Sequence, residues 1–157
     1  MTGDYQLTLA QPDHFDKLYD LMVAFIKEDT PYRVVPIDRE TITNTIRAFF
    51  DHSDKQIAIV LLHKGKPVGV AVGKVEPCPF AKVKSAVEIV WKVDKEHRNS
   101  KGGLELFKAY EHWVENVALA DMSVLSSVRN KDSDRICKVY QRKGYDEAER
   151  TFVKFYK

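Results

Sequence analysis

The stretch from Lys84 to Val117 constrains this chain more than any other. It opens on a strand-like run, Ser85-Ala86-Val87-Glu88-Ile89-Val90-Trp91-Lys92-Val93. A polar turn from Asp94 to Gly103 follows. Leu106, Phe107, Tyr110, Trp113, Val114 and Val117 then recur at steps of three and four residues, which gathers them on one face of a helix. A strand, a basic glycine-bearing turn and a helix make an anion site on physical grounds alone. The first turn of a helix leaves backbone N–H groups unpaired and carries partial positive charge. Gly102 and Gly103 let a phosphate approach the main chain, and Arg98 and Lys101 bring full charges.

The flanking segments alternate in type. Tyr5 to Leu9 alternates like a short strand. Pro12, Asp13 and Asp16 suit the start of a helix, and Phe15, Leu18, Tyr19, Leu21, Met22, Phe25 and Ile26 make it amphipathic through about Lys27. Thr30-Pro31 stops it, because the residue before a proline avoids the helical region. Tyr32 to Pro36 reads as a loop, and Asp38 as the cap of a second helix with Ile42, Ile46, Phe49 and Phe50 inward. Gln56 to His63 is a dense β-branched run, and Lys64-Gly65 reads as a hairpin turn into Pro67 to Val75. Pro77-Cys78-Pro79-Phe80 reads as a loop. Beyond the central helix, Met122 to Val128 predicts a fifth strand. Asp132 and Asp134 open a helix that Lys138, Arg142 and Lys143 close, with Gly144 at its C-terminal cap. Phe152 to Tyr156 predicts a last strand. The order βααβββαβαβ implies an α+β fold, a mixed sheet flanked by helices.

Length and composition bound what such a chain can be. Its 157 residues, 44% hydrophobic and 31% charged, predict one domain over 1–157 with a real core. A net charge of +2 is too near neutral for a general polyanion binder. Cys78 and Cys137 show neither metal spacing nor a disulfide framework, which fits a reducing interior. His14, His52, His63, His97 and His112 are scattered without ligand spacing, so no metal site is expected. Cys137 reads as a core residue on an apolar helix stripe, and Trp113 as core. No signal segment and no bilayer-length apolar run occur, so a cytoplasmic location is the expectation and no membrane partner is expected.

Three segments resemble the GNAT superfamily of acyl-CoA-dependent N-acyltransferases. Arg98-Asn99-Ser100-Lys101-Gly102-Gly103 resembles the family's pyrophosphate turn, Arg or Gln, two residues, Gly, one residue, then Gly or Ala. Lys101 stands where the first glycine is expected, so either Lys101 takes a strained conformation or Gly102 serves in a shifted register. Glu88-Ile89-Val90-Trp91 resembles the family's central strand, and Val139 to Tyr145 its late Tyr-x-x-x-Gly-Phe segment. The resemblance implies a GNAT-like, mostly antiparallel sheet and acetyl-CoA as cosubstrate.

That resemblance also assigns roles. N-acyl transfer from a thioester needs a neutral amine and a proton for the departing thiolate. Glu88 is the candidate base, acting through water; the alternative is a solvated glutamate beside Lys84 and Lys92. Tyr140 is the candidate acid, since a phenol near its ordinary pKa keeps its proton at neutral pH; it also shares an apolar stripe with Ile136 and Val139. Arg98 with Asn99 and the amides of Ser100, Lys101, Gly102, Gly103 and Leu104 would cradle the pyrophosphate. The backbone of Trp91, Lys92 and Val93 would bond the pantetheine arm, and Asn130 would lie near it or serve as an ordinary turn asparagine. Lys82, Lys84, Lys92, Lys95 and Lys101 could hold a further phosphate or be solvated charge. The acceptor is an amine on a small molecule, a protein or a modified base, walled by the loop Glu28 to Asp38, including Tyr32 and Arg33, and by the loop around Phe80. A homodimer is left open. The rival expectation is a degenerate member that binds acyl-CoA or a protein partner without chemistry.

Overall fold

The computed structural model describes residues 4–156. Five strands, β1 (Tyr5–Leu9), β2 (Gln56–His63), β3 (Lys66–Pro77), β4 (Lys84–Val93) and β5 (Met122–Val124), lie side by side in sequence order. The first four pair antiparallel and β5 joins β4 in parallel, as a sheet needs when a helix makes the crossover. The helices are α1 (Phe15–Asp29), α2 (Arg39–Ala48), α3 (Lys101–Asn116) and α4 (Ser133–Arg142). The predicted α+β fold with a mostly antiparallel sheet is therefore observed.

Local chemistry sets the element ends. Asp38 caps α2 by accepting from Thr41 N–H at 2.9 Å. Lys64 and Gly65 have φ of 50° and 76°, the pair of positive values a two-residue type I′ turn needs. A short 3₁₀ turn, Pro31–Val34, occupies most of the predicted loop after α1.

Both faces of the sheet are covered. Leu18 and Leu21 of α1 and Ile42 and Ile46 of α2 pack on Val60, Val70, Val72 and Val90. On the other face Leu106, Tyr110, Trp113 and Val114 of α3 pack on Ile57, Ile59, Leu61, Ala71 and Ala86. Trp113 is core, as expected, and its indole N–H also donates to Ser53 O at 3.1 Å. Val117 closes the predicted stripe only nominally, being 46% exposed.

One irregularity reshapes β4. Val72 stands opposite Val90 and Gly73 opposite Glu88, so Ile89 has no partner and forms a bulge. An extra residue breaks the two-residue alternation. Ala86 points to α3, whereas beyond the bulge Val90 and Lys92 face α1 and Val93 faces α3. The expected apolar row Ser85, Val87, Ile89, Trp91, Val93 is thus not one face, and Ile89 is exposed.

Three further expectations are corrected. β5 ends at Val124 rather than Val128, because beyond the bulge β4 no longer offers it a straight partner. No strand forms at Phe152 to Tyr156; with a neighbouring edge only three residues long, strand propensity there finds no ladder to join, and Phe152 and Tyr156 stay exposed. Cys137 is exposed, since no residue of α4 is fully buried.

Gly73 is required by packing. A Cβ there would stand 2.5 Å from Cε2 of the fully buried Tyr110. Gly103, by contrast, would put its nearest neighbour, Arg98 O, 3.7 Å away. We expect Gly73→Ala to lower stability in urea titrations by about 1–3 kcal/mol. Gly103→Ala should be neutral or stabilising by up to about 1 kcal/mol through helix propensity. Equal stability of Gly73→Ala and the parent would contradict the contact.

Candidate active site

The turn between β4 and α3 is built to leave donors free. Ser100 begins α3 in extended conformation, yet its hydroxyl donates backwards to His97 O at 2.6 Å instead of capping the helix. The amides of the first turn, Lys101, Gly102 and Gly103, therefore have no side-chain cap. Lys101 is not strained: Lys64 and Leu119 are the non-glycine residues with positive φ among the described residues, and Lys101 simply starts the helix. Gly102 serves packing, since a Cβ there would meet Tyr5 at 2.9 Å and Leu61 at 3.0 Å. At Gly103 a Cβ would meet only Arg98 O, at an ordinary contact distance of 3.7 Å, so this is the less crowded of the two glycines.

Arg98 is held from several sides. Its Nε donates to Val93 O at 2.9 Å, which fastens the turn to the end of β4. Its terminal nitrogens lie 3.6 Å from Asp29, 3.9 Å from Glu28 and 3.8 Å from Asp132. Lys92, 2% exposed, donates to Glu28 at 3.0 Å and also to Asp29. The solvated-lysine expectation for Lys92 is thus corrected: the bulge turns it under α1, where it is ion-paired. Its bond to Glu28 holds that carboxyl below the usual range. Lys84 is turned away as well, donating to Ala118 O at 2.8 Å. Asn99 accepts from Arg135 at 2.9 Å, and the Asn130 side chain accepts from Asp132 N–H at 2.8 Å, a turn role.

Glu88 and Tyr140 converge on one residue. Ser126 N–H donates to Glu88 Oε2 at 3.1 Å, and Tyr140 donates to Ser126 O at 3.3 Å. This happens where the strands part, since β4 and β5 pair only from Ser85–Val87 to Met122–Val124. Burial pushes the Glu88 carboxyl up to about 7, with the Ser126 N–H pulling the other way. No lysine pairs with it among the described residues. Burial, and then the Glu88 charge, raise the Tyr140 hydroxyl above the ordinary tyrosine value. Its ring stacks on Phe107 at 6.1 Å, and Phe107 in turn meets Trp91 at 5.7 Å. An acid poised to hold its proton thus sits near a carboxyl that ionises around neutrality.

The predicted acceptor walls are surface residues. Tyr32 is exposed and meets Phe155 edge to face at 6.4 Å, while Arg33 and Phe80 are exposed. Phe155, which Tyr32 meets, carried no signal in the sequence, and neither did the main chain of Ser126. Glu28-Asp29 did leave a signal: two acids at the C-terminal end of a helix oppose its dipole and call for cations from elsewhere.

The sequence matches the acetyltransferase (GNAT) family over residues 18–145. The chain belongs to that family. GNAT membership brings acyl-CoA-dependent acetyl transfer as the general chemistry. The same fold is found in the ribosomal-protein-alanine N-acetyltransferase from Brucella melitensis biovar Abortus 2308, 14% identical, with 98% of this chain and 100% of that one covered at a TM-score of 0.73. It is found in glucosamine-6-phosphate N-acetyltransferase from Arabidopsis thaliana, 10% identical, covering 99% and 100% at 0.71. A third is AAC(6')-Iy in complex with the bisubstrate analog CoA-S-monomethyl-acetylneamine, 14% identical, covering 99% and 99% at 0.69. At such identities the likeness establishes the GNAT fold alone. No curated protein sequence matches this chain significantly.

The raised Glu88 value carries a stability consequence. Between the ordinary value of 4.5 and about 7 the folded chain holds a proton that the unfolded chain has released. Raising pH through that window therefore costs stability. We expect Glu88→Gln to match the parent near pH 5 and to exceed it by roughly 1–3 kcal/mol at pH 8. Parallel stability curves for the two proteins from pH 5 to 8 would rule the shift out.

Proposed function

We propose that the protein moves an acetyl group from acetyl-CoA to a primary amine by direct transfer in a ternary complex. The observation that carries this reading is the parting of β4 from β5 beyond Val87. From Glu88 to Val93, β4 has no strand on that side among the described residues, and Glu88 and Tyr140 meet Ser126 at the fork. An extended arm bearing amides can add to such an edge as a strand would. The pantetheine arm of acetyl-CoA would lie along Trp91, Lys92 and Val93, with Asn130 nearby. The pyrophosphate would take the amides of Ser100 through Leu104, beside Asn99 and Lys101. Arg98 contributes chiefly by fastening that turn to β4.

The chemistry then follows in one sense. The amine nitrogen bonds to the thioester carbonyl carbon, and its surplus proton passes through water to Glu88. The carbon–sulfur bond breaks, and Tyr140 gives its proton to the departing sulfur, yielding the N-acetyl product and the free thiol of CoA. Solvent returns a proton to Tyr140. A carboxyl titrating about 7 is half ionised at neutral pH, so it can both receive and release that proton. The acceptor amine enters past Tyr32, Arg33, Phe80 and Phe155, the last of which packs on Tyr32. A cytoplasmic enzyme with a small-molecule, protein or modified-base amine fits equally; among the described residues no helix is long and apolar enough to cross a membrane.

A second reading, a degenerate member that binds a protein partner, or acyl-CoA only weakly, without turnover, is favoured by one observation. Arg98 already has three carboxylate neighbours, which offsets its attraction for a pyrophosphate.

Two measurements separate the readings. Acetyl-CoA at about a hundred times its Kd should stabilise the fold by about 2.7 kcal/mol, and acetyl-pantetheine, without the pyrophosphate, far less. Gly103→Val should fold normally and lose that shift; unchanged calorimetric affinity would remove the turn from the site. Tyr140→Phe should lower kcat by roughly 10²-fold or more while melting and acetyl-CoA affinity hold. The loss should shrink with acyl donors whose leaving group needs less protonation. A well-folded Tyr140→Phe enzyme with full turnover would end the acid assignment, and binding without turnover in the parent would favour the second reading.

A further inference from the structure

Tyr110 is the largest fully buried side chain, and its hydroxyl has no hydrogen-bond partner among the described residues. Buried phenols are ordinarily paired, so an orphan oxygen here demands a partner. Its place is defined by a missing side chain: a Cβ on Gly73 would stand 3.0 Å from this oxygen. Gly73 is directly opposite Glu88 across the β3–β4 ladder. Residues so paired project to the same face, with Cβ positions about 4.5–5.5 Å apart. The Tyr110 hydroxyl therefore occupies the cell beside the Glu88 side chain, roofed by α3.

No direct bond joins Tyr110 to Glu88, so a phenol and a carboxylate on one face are left for a single bridging water, two of the two to four polar partners that a buried water needs. Burial, and then the Glu88 charge, raise the Tyr110 hydroxyl far above the ordinary tyrosine range. The phenol thus keeps its proton at every working pH and always has an O–H to donate.

We propose that Tyr110 is a positioning residue for Glu88, its hydroxyl donating to the ionised carboxylate through one buried water. This hydrogen bond would fix where the amine proton comes to rest, and it rests on the acetyl-transfer reading only for that last step. Tyr110→Phe deletes an oxygen without a protein partner and keeps the ring, so a purely packing role leaves Glu88 untouched.

The test is a carboxyl titration of the full chain labelled with ¹³C-glutamate, the Glu88 signal being assigned by its loss in Glu88→Gln. Removing a donor to an anion raises its pKa, so the Glu88 midpoint should rise by about one unit in Tyr110→Phe. At pH 7 kcat/KM should then fall about fivefold and recover by about pH 9, as the ionised fraction dictates. An unchanged midpoint in folded Tyr110→Phe overturns the proposal, whatever the activity does. A shifted midpoint with an unshifted acid limb upholds Tyr110 and instead sinks Glu88 as the base. Should Tyr110→Phe not fold, Gly73→Ala, which pushes the hydroxyl from its place, must raise the same midpoint or the proposal fails.

Discussion

Everything at the centre of this molecule depends on one unpaired residue. With Ile89 bulged out of the β3–β4 ladder, β4 bends and changes which face each later residue serves. Glu88 is left on the α3 side, Lys92 is turned under α1, and β5 loses its partner after Val124. The Ser126 N–H, with no strand to donate to, goes to the Glu88 carboxylate instead. The bulge thus produces the fork between two strands, and the same carboxylate that borders the fork satisfies a main-chain group the fork releases. Without the bulge, the parallel pairing could continue and there would be no slot.

A second constraint ties the far end of the fork together. Asp29 and Glu28 stand at the end of α1, where helix polarity makes negative charge unwelcome, and Lys92 and Arg98 compensate them. Lys95 and Asp132 extend the group to its edges. Because Lys92 is withdrawn from water, breaking its pairing would strand a charge, which is far costlier than losing an exposed ion pair. The network therefore acts as a fastener joining α1, the end of β4 and the entry to α4. It also spends most of the basic charge that the turn sequence displays, leaving the unpaired amides of α3 as the main attraction for an anion.

The sequence was most legible where one local rule sufficed. The type I′ turn at Lys64-Gly65, the Asp38 cap and the Gly144 stop all came from short-range chemistry and were found in place. Resemblance to the family's central strand named Glu88 and resemblance to its late segment named Tyr140, and the structure brings both to Ser126. What stayed hidden depended on pairing. A strict two-residue alternation gave a tidy row through Ile89 because nothing in Glu88-Ile89-Val90 announces a bulge; it shows only in the register against Val72 and Gly73 on the neighbouring strand. Phe152 to Tyr156 has a strand's composition, but a strand is a relation to a partner, and β5 is too short to be one. Cys137 misled for a related reason, since a stripe predicts which side faces inward and not how deeply the helix sits.

The contact between Gly73 and Tyr110 has a consequence for how this chain can drift. Position 73 can acquire a side chain only in a lineage whose residue at 110 has first become small, and a small residue at 110 leaves a void until 73 fills it. Each single step passes through a poorer intermediate, so the two positions should change together or not at all. A descendant that did exchange them would keep the sheet and the helix. It would also have lost the hydroxyl beside Glu88, and with it one means of adjusting how that carboxyl handles protons.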